Sequence, residues 1–198
     1  MASDHPRPAP RATPRRLAPY DGPRSESVQQ TLDLTNAMGS GEPFNIFTTL
    51  AHHGRALRHT VALGGAFLFA GNIPARLREI IIIRVARNTR SVYEYGQHVA
   101  IGQRVGLSLD ECRALIAPDD ADALGDSFTA DERHAIAMTD ELCRDDCVTD
   151  ETWAALAATW PERELVELVV LAGYYRMIAG FLNSAGVELD EGLTGWET

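Results

Sequence analysis

The chain has 198 residues with 18 cationic and 28 acidic side chains, a formal net charge of −10, and every cation is an arginine. Without a lysine there is no Schiff-base nucleophile, no anchor for pyridoxal phosphate and no P-loop. At 45% hydrophobic and 23% charged the composition is that of a globular protein, and its acidity disfavours nucleic acid and anionic membranes as partners. Three cysteines, an odd number, fit a reducing compartment better than a disulfide scaffold. No apolar run approaches the roughly 18 residues of a membrane span, and the N-terminus lacks an apolar signal core. A cytoplasmic location with no membrane association is expected.

Residues 1–24 carry five arginines against two aspartates, so an arm of +3 precedes a body of −13. The arm is rich in proline and poor in large apolar residues, and is expected to be disordered or extended. A basic arm on an acidic body can be a solvated tail, wrap a neighbouring subunit or touch nucleic acid. Residues 25–198 are expected to form a single helical domain.

From about Pro43 apolar residues recur at helical spacing as far as Phe69, with His52, His53 and Gly54 as a break. Asn72-Ile73-Pro74 predicts a turn that starts the next helix. Leu77 to Arg90 contains Ile80-Ile81-Ile82-Ile83, which alone reads as a buried strand. Helix formers on both flanks, and the want of a partner strand, predict a buried helix instead. Ser91 with Glu94 three residues later predicts a capped helix running to Gly106. Ser108 predicts a short helix through Ile116, and an acidic loop, Asp119 to Asp126, divides the chain. Thr129 with Glu132, and then Thr149, open two further helices, and a long one runs from Pro161 to Gly186. The fold class is all-α, with a central antiparallel helix hairpin. Arg78-Glu79 before IIII and Arg163-Glu164 before LVELVV echo one another, as duplicated helix pairs would.

Chemistry concentrates in residues 76–108. Glu94 and His98 are four apart, so they share a helix face with Cβ atoms about 6 Å apart. A tight turn at Arg90 and Ser91 would bring Glu79 back to within reach of His98, with Tyr93 on the rim. Carboxylates desolvated in an apolar helix interface rise in pKa, and an imidazole beside them can exchange protons near neutrality. Taken alone, Glu-x3-His fits an exposed surface pair equally well. One histidine with two carboxylates is a poor metal set, and neither metal nor cofactor is expected.

RLREIIIIRVA, YEYGQHVAI, PFNIFTTLAHH and GYYRMIAGFLNSAGVELD together resemble the carboxymuconolactone decarboxylase / alkylhydroperoxidase-D superfamily over about residues 43–190. The redox branch of that superfamily has a glutamate, a Cys-x2-Cys twelve positions on, and a histidine after three more residues. Here those places hold Glu79, Ser91, Glu94 and His98, with Tyr93 where a second relay histidine often stands. Ser91 and Glu94 cannot act as nucleophilic and resolving thiols. The decarboxylase branch works without cysteine or cofactor and keeps Glu-x3-His. The resemblance therefore implies an alkylhydroperoxidase-D-like helical bundle and cofactor-free decarboxylation, enolisation or lactone isomerisation of a small carboxylated or carbonyl compound. It also implies a homo-oligomer, trimeric or hexameric.

In that reading His98 is base or proton shuttle, Glu94 its orienting partner or the acid, and Glu79 a third relay member. Tyr93 donates to a developing enolate and Arg84 holds a substrate carboxylate, while Ser91, Tyr174 and Tyr175 line the substrate site. Two alternatives stay open. Cys143 and Cys147, four apart on a predicted helix, would serve an alkylhydroperoxidase-like oxidoreductase, and a non-catalytic scaffold would bind a ligand in the same space. Cys112 reads as structural, and His52, His53, His59 and His134 have no partner at a telling spacing.

Overall fold

The computed structural model of the protein describes residues 13–36, 43–117, 124 and 126–196, and every regular element among them is helical. In chain order these are α1 (Glu26–Asn36), α2 (Asn45–Leu50), α3 (Gly54–Ala70), α4 (Ala75–Thr89), α5 (Val92–Arg104), α6 (Leu109–Leu115), α7 (Ala130–Asp145), α8 (Asp150–Thr159) and α9 (Glu162–Ala185). A 3-10 turn, Ala51–His53, separates α2 from α3 at the predicted break. Residues 1–12 of the arm and most of the acidic loop at 119–126 lie outside the described residues.

Local chemistry sets most boundaries. Ser108 and Thr129 close capping boxes with Glu111 and Glu132, and the Thr149 side chain accepts from the Thr152 N–H. Gly186, at φ 66°, ends α9 in the left-handed conformation that glycine tolerates best. A Cβ there would also stand 2.2 Å from the Pro14 carbonyl oxygen. Helix α1 has no counterpart in the sequence reading. Two of its four buried residues, Val28, Thr31, Leu32 and Thr35, are threonines, so its apolar stripe is faint.

Helix α4 is the centre of the bundle. It packs against α5, α6, α7 and α9, and Glu79 through Ala86 are buried without interruption. Ile81, Ile82 and Val85 pack with residues of α7, α8 and α9, while Ile80, Ile83 and Ala86 pack with α5 and α6. Four consecutive isoleucines suit a helix enclosed on every side, because no face is left for a polar residue. Helix α9 is long and apolar enough by composition to cross a bilayer, and here it packs against α3, α4, α7 and α8.

A helix enclosed in this way buries its charges too. Arg84, 1% exposed, donates from Nε and Nη2 to Asp140 of α7 at 2.6 and 2.7 Å, and from Nη1 to the Leu115 carbonyl at 2.9 Å. This corrects the expectation that Arg84 holds a substrate carboxylate. Its position on α4 directs it toward α7, where Asp140 already takes its charge.

The two ends of the chain brace the bundle without regular structure. Arg16 and Leu17 donate backbone N–H groups to the Ala185 carbonyl, and Tyr20 donates to that of Thr48. Toward the C-terminus Trp196 is buried edge-on against Tyr95, with ring centroids 5.0 Å apart.

The thiols also depart from expectation. All three cysteines are free. Helix α7 stops at Asp145, with Asp146 left-handed after it, so the exposed Cys147 lies beyond the helix that carries Cys143. Burial raises the Cys143 thiol and pushes Cys112 up to about 11. Neither is a ready thiolate at neutral pH.

Replacing Arg84 by leucine is expected to cost about 3–5 kcal/mol in chemical denaturation, because Asp140 loses its partner. Ligand affinity of the folded protein is expected to be unchanged.

Candidate active site

A cavity of about 1100 Å³ opens between α2, α3, α5, α9 and the C-terminal segment. Phe44, Phe47, Val61, Leu68, Ile101, Ile178 and Leu182 give it an apolar wall, and Tyr93, Glu94, Gln97, His98, Tyr174, Tyr175 and Arg78 bring polar groups to it. Arg84, Ser91 and Glu79 are not on its wall.

The α4–α5 turn brings the main partners together. Arg90, left-handed at φ 57°, reverses the chain, and the Ser91 N–H donates to the Ala86 carbonyl at 2.8 Å to close the end of α4. Helix α5 then runs back along α4. His98 meets Glu79 with Nδ1 2.7 Å from Oε2, and Arg78 Nε donates to the other oxygen, Oε1, at 2.9 Å. Burial alone would raise the Glu79 carboxyl, yet His98 and Arg78 hold it below the ordinary carboxylate range. Glu79 is therefore an anion behind the imidazole, and it orients the ring with Nδ1 toward itself. His98 lines the cavity, and Nε2 has no hydrogen-bond partner among the described residues. The Tyr175 ring stands edge-on to the imidazole at 5.0 Å between centroids.

Glu94 is different in kind. It is 2% exposed, lies on the cavity wall, and neither carboxyl oxygen has a protein partner among the described residues. Burial raises its pKa well above the ordinary value. Burial thus favours its protonated form, and His98, not Glu94, is the group that Glu79 contacts. The predicted capping interaction at this helix start does not form. The Ser91 hydroxyl is buried and makes no cap bond, and the Ser91 N–H that a capping glutamate would seek is already given to Ala86. Ser91 thus starts the helix without reaching the cavity.

The three tyrosines separate by what their hydroxyls do. Tyr93 donates to Asp190 and accepts from the Ile46 N–H at 3.3 Å and from Gln97 at 3.4 Å. Burial, and after it the Asp190 carboxylate, raise its pKa. With its proton committed, Tyr93 is a strut that ties α5 to the C-terminal segment, which corrects its expected role as an enolate donor. Tyr174 gives its proton to the Thr60 carbonyl at 2.9 Å. Tyr175 lines the cavity, and its hydroxyl has no protein partner among the described residues. Its pKa is raised, chiefly by burial.

Sequence reasoning did not find Arg78, Gln97 and Asp190. Arg78 is adjacent to Glu79, and Gln97 follows Tyr93 by one helical turn, so both had a local signal. Asp190 had none. It is 97 residues from Tyr93, and it also accepts from the Asn45 N–H at 2.7 Å and from Gln97 at 2.5 Å.

Residues 55–141 match the model of the carboxymuconolactone decarboxylase family. The match spans the segment from the start of α3 into α7. Among solved structures it is similar to an uncharacterized peroxidase-related protein with an alkylhydroperoxidase AhpD core from Ralstonia eutropha JMP134. The two are 17% identical with a TM-score of 0.75, over 91% of this chain and 95% of that one. A peroxidase-related protein from Silicibacter sp. TM1040 is 13% identical with the same TM-score and coverage. The debrominase Bmp8 is 13% identical at a TM-score of 0.72, over 88% of this chain and 92% of that one. At such identities the likeness is one of fold, an AhpD-like helical bundle. No curated protein matches the chain in sequence.

Two stability measurements check the charge states. Glu79→Leu leaves Arg78 without its carboxylate in a buried setting, and is expected to cost about 3–5 kcal/mol. For Glu94 the sign is opposite to that of a salt-bridged acid. Below its ordinary value of 4.5 the carboxyl is protonated in both folded and unfolded chains. As pH rises, the unfolded chain releases the proton and the folded one retains it, so stability falls until the raised folded pKa is passed. Glu94→Gln carries no such loss. Its Tm relative to the wild type is expected to climb with pH above 4.5, and parallel Tm–pH curves would show that Glu94 is ionised.

Proposed function

We propose that this protein is a carboxymuconolactone-decarboxylase-like enzyme that catalyses cofactor-free acid–base chemistry on a carbonyl compound. The observation that carries the reading is a buried Glu94 with no protein partner among the described residues, beside a Glu79-oriented His98 on the wall of one cavity. These are two groups whose surroundings push them toward different proton-transfer tasks. His98 Nε2 removes a proton next to the carbonyl, while the Glu79 carboxylate stabilises the imidazolium that forms. Glu94 supplies its proton to the oxygen as negative charge develops there. The Tyr175 hydroxyl offers a further hydrogen bond to the same region. Glu79 touches no substrate in this scheme, so it is a positioning residue.

Decarboxylation, enolisation and lactone isomerisation all pass through an enolate that such a set can stabilise. A thiol mechanism draws no support from this site. Ser91 and Glu94 stand where the resemblance to the redox branch would put two cysteines. Cys143 has a raised pKa, and both it and Cys147 are absent from the cavity wall.

The test is hydrogen–deuterium exchange next to the carbonyl of small ketones, followed by NMR in D2O. Wild type is expected to accelerate exchange, and His98→Ala to lose about 10²–10⁴ of that rate. Glu94→Gln is expected to lose a comparable part, while a Cys143→Ser, Cys147→Ser double variant keeps full activity. Wild-type turnover in the His98 and Glu94 variants would sink the assignment, and loss in the double variant would restore the thiol reading.

A further inference from the structure

The cavity has little free charge with which to receive an anion. Two guanidinium groups reach its wall, Arg78 and Arg104. Arg78 is held by Glu79 at 2.9 Å and donates to the Leu68 carbonyl at 3.3 Å. Arg104 belongs to the last turn of α5 and is exposed. Against them stand Asp190 and Glu191 on the wall and Glu79 directly behind His98. Asp190 is tied to Asn45, Tyr93 and Gln97, all neutral donors, so no cation cancels it. Arg84, which would have been an anchor for a carboxylate, is bound to Asp140 in the core. On the wall itself stand two carboxylates, Asp190 and Glu191, with the exposed Arg104 and an Arg78 already paired to Glu79. An entering carboxylate would lose its hydration and would find, among the described residues of the wall, only the solvent-exposed Arg104 guanidinium without an ion-pair partner. The surface on offer is apolar and partly aromatic instead, through Phe44, Phe47, Phe69, Tyr175, Ile178 and Leu182.

We infer that the compound taken here is an uncharged cyclic ketone or lactone with an apolar ring body, rather than a carboxylate. The inference rests on the acid–base reading of the same site. It narrows the reaction, because a compound with no carboxylate has no carbon dioxide to lose. His98 Nε2 takes the proton from the carbon beside the carbonyl, and the C–H electron pair becomes the new C=C bond. The carbonyl π pair moves to oxygen, which takes the Glu94 proton. The imidazolium then returns its proton to carbon, at the original position or at the far end of a conjugated enol, and Glu94 recovers its own from oxygen. The sum is an isomerisation or a proton exchange that consumes no co-reactant.

The experiment compares 2-naphthol with 2-naphthoate by titration calorimetry at pH 7, as uncharged and anionic ligands on one ring system. In parallel, 2-tetralone is followed for deuterium exchange. One 2-naphthol per chain is expected to bind at least tenfold tighter than 2-naphthoate. Val61→Trp, which crowds the cavity wall, is expected to weaken 2-naphthol in protein whose helical circular dichroism is intact. Equal or tighter binding of 2-naphthoate, binding of neither ring, or 2-naphthol binding unaffected by Val61→Trp would each overturn the inference. The two readings fail separately. Preference for 2-naphthol without exchange of 2-tetralone supports the uncharged ligand class and sinks the acid–base reading. Exchange together with tighter 2-naphthoate does the reverse.

Discussion

Enclosure of α4 on all sides is the constraint from which the remaining features follow. An uninterrupted buried run from Glu79 to Ala86 contains two ionisable residues, and neither can reach water. A buried charge persists only when it is paired and hydrogen-bonded. Arg84 is therefore matched by Asp140 and by the Leu115 carbonyl, which locks α4 to α7 and to the end of α6. Glu79 is matched by Arg78 and His98, which locks α4 to α5. The two pairs lie on different sides of one helix. One is spent entirely on the fold, while the other leaves an imidazole nitrogen on a cavity wall.

That difference separates a structural ion pair from a site. Arg84 gives donors to acceptors that surround it, and nothing is left to offer a ligand. His98 uses only one nitrogen on Glu79, and α5 sets its ring at the edge of an open space. Glu94, one turn earlier on the same helix, lies on the wall of that space, and its buried carboxyl oxygens have no protein partner among the described residues. Leaving a buried carboxyl unsatisfied costs stability, and it is the kind of local cost that proteins retain at functional positions. A buried carboxyl without a protein partner among the described residues and an imidazole backed by a carboxylate thus lie on one cavity wall.

The AhpD-like bundle by itself decides none of this chemistry. The same architecture at 13–17% identity occurs in peroxidase-related proteins and in a debrominase, and one fold hosts many reactions through changes at its site. In this chain the α4–α5 turn and the first turns of α5 carry a serine with no exposed surface and a buried glutamic acid.

Much of the architecture was legible in residue order because helix ends are local events. Ser108, Thr129 and Thr149 cap helices through partners three residues away, and Gly186 stops α9 by its own backbone freedom. The spacing of Glu79, Glu94 and His98 was legible too, since a helix pair joined by a tight turn has predictable register. The faint threonine-bearing stripe of α1 was not, because periodicity is read from apolar residues. Nor was the fate of side chains whose partners are remote in sequence. Asp140 claims Arg84 from 56 residues away, and Asp190 claims the Tyr93 proton from 97 residues away. The missing cap at Ser91 has a local cause instead, since its N–H goes to the Ala86 carbonyl at the end of the preceding helix. Sequence alone determined the helices after α1, the caps at Ser108, Thr129 and Thr149, and the residue types able to move a proton. Only the tertiary structure decided which of those groups kept a free donor or acceptor, because long-range packing allots hydrogen bonds and water access, and these set the charge each group carries.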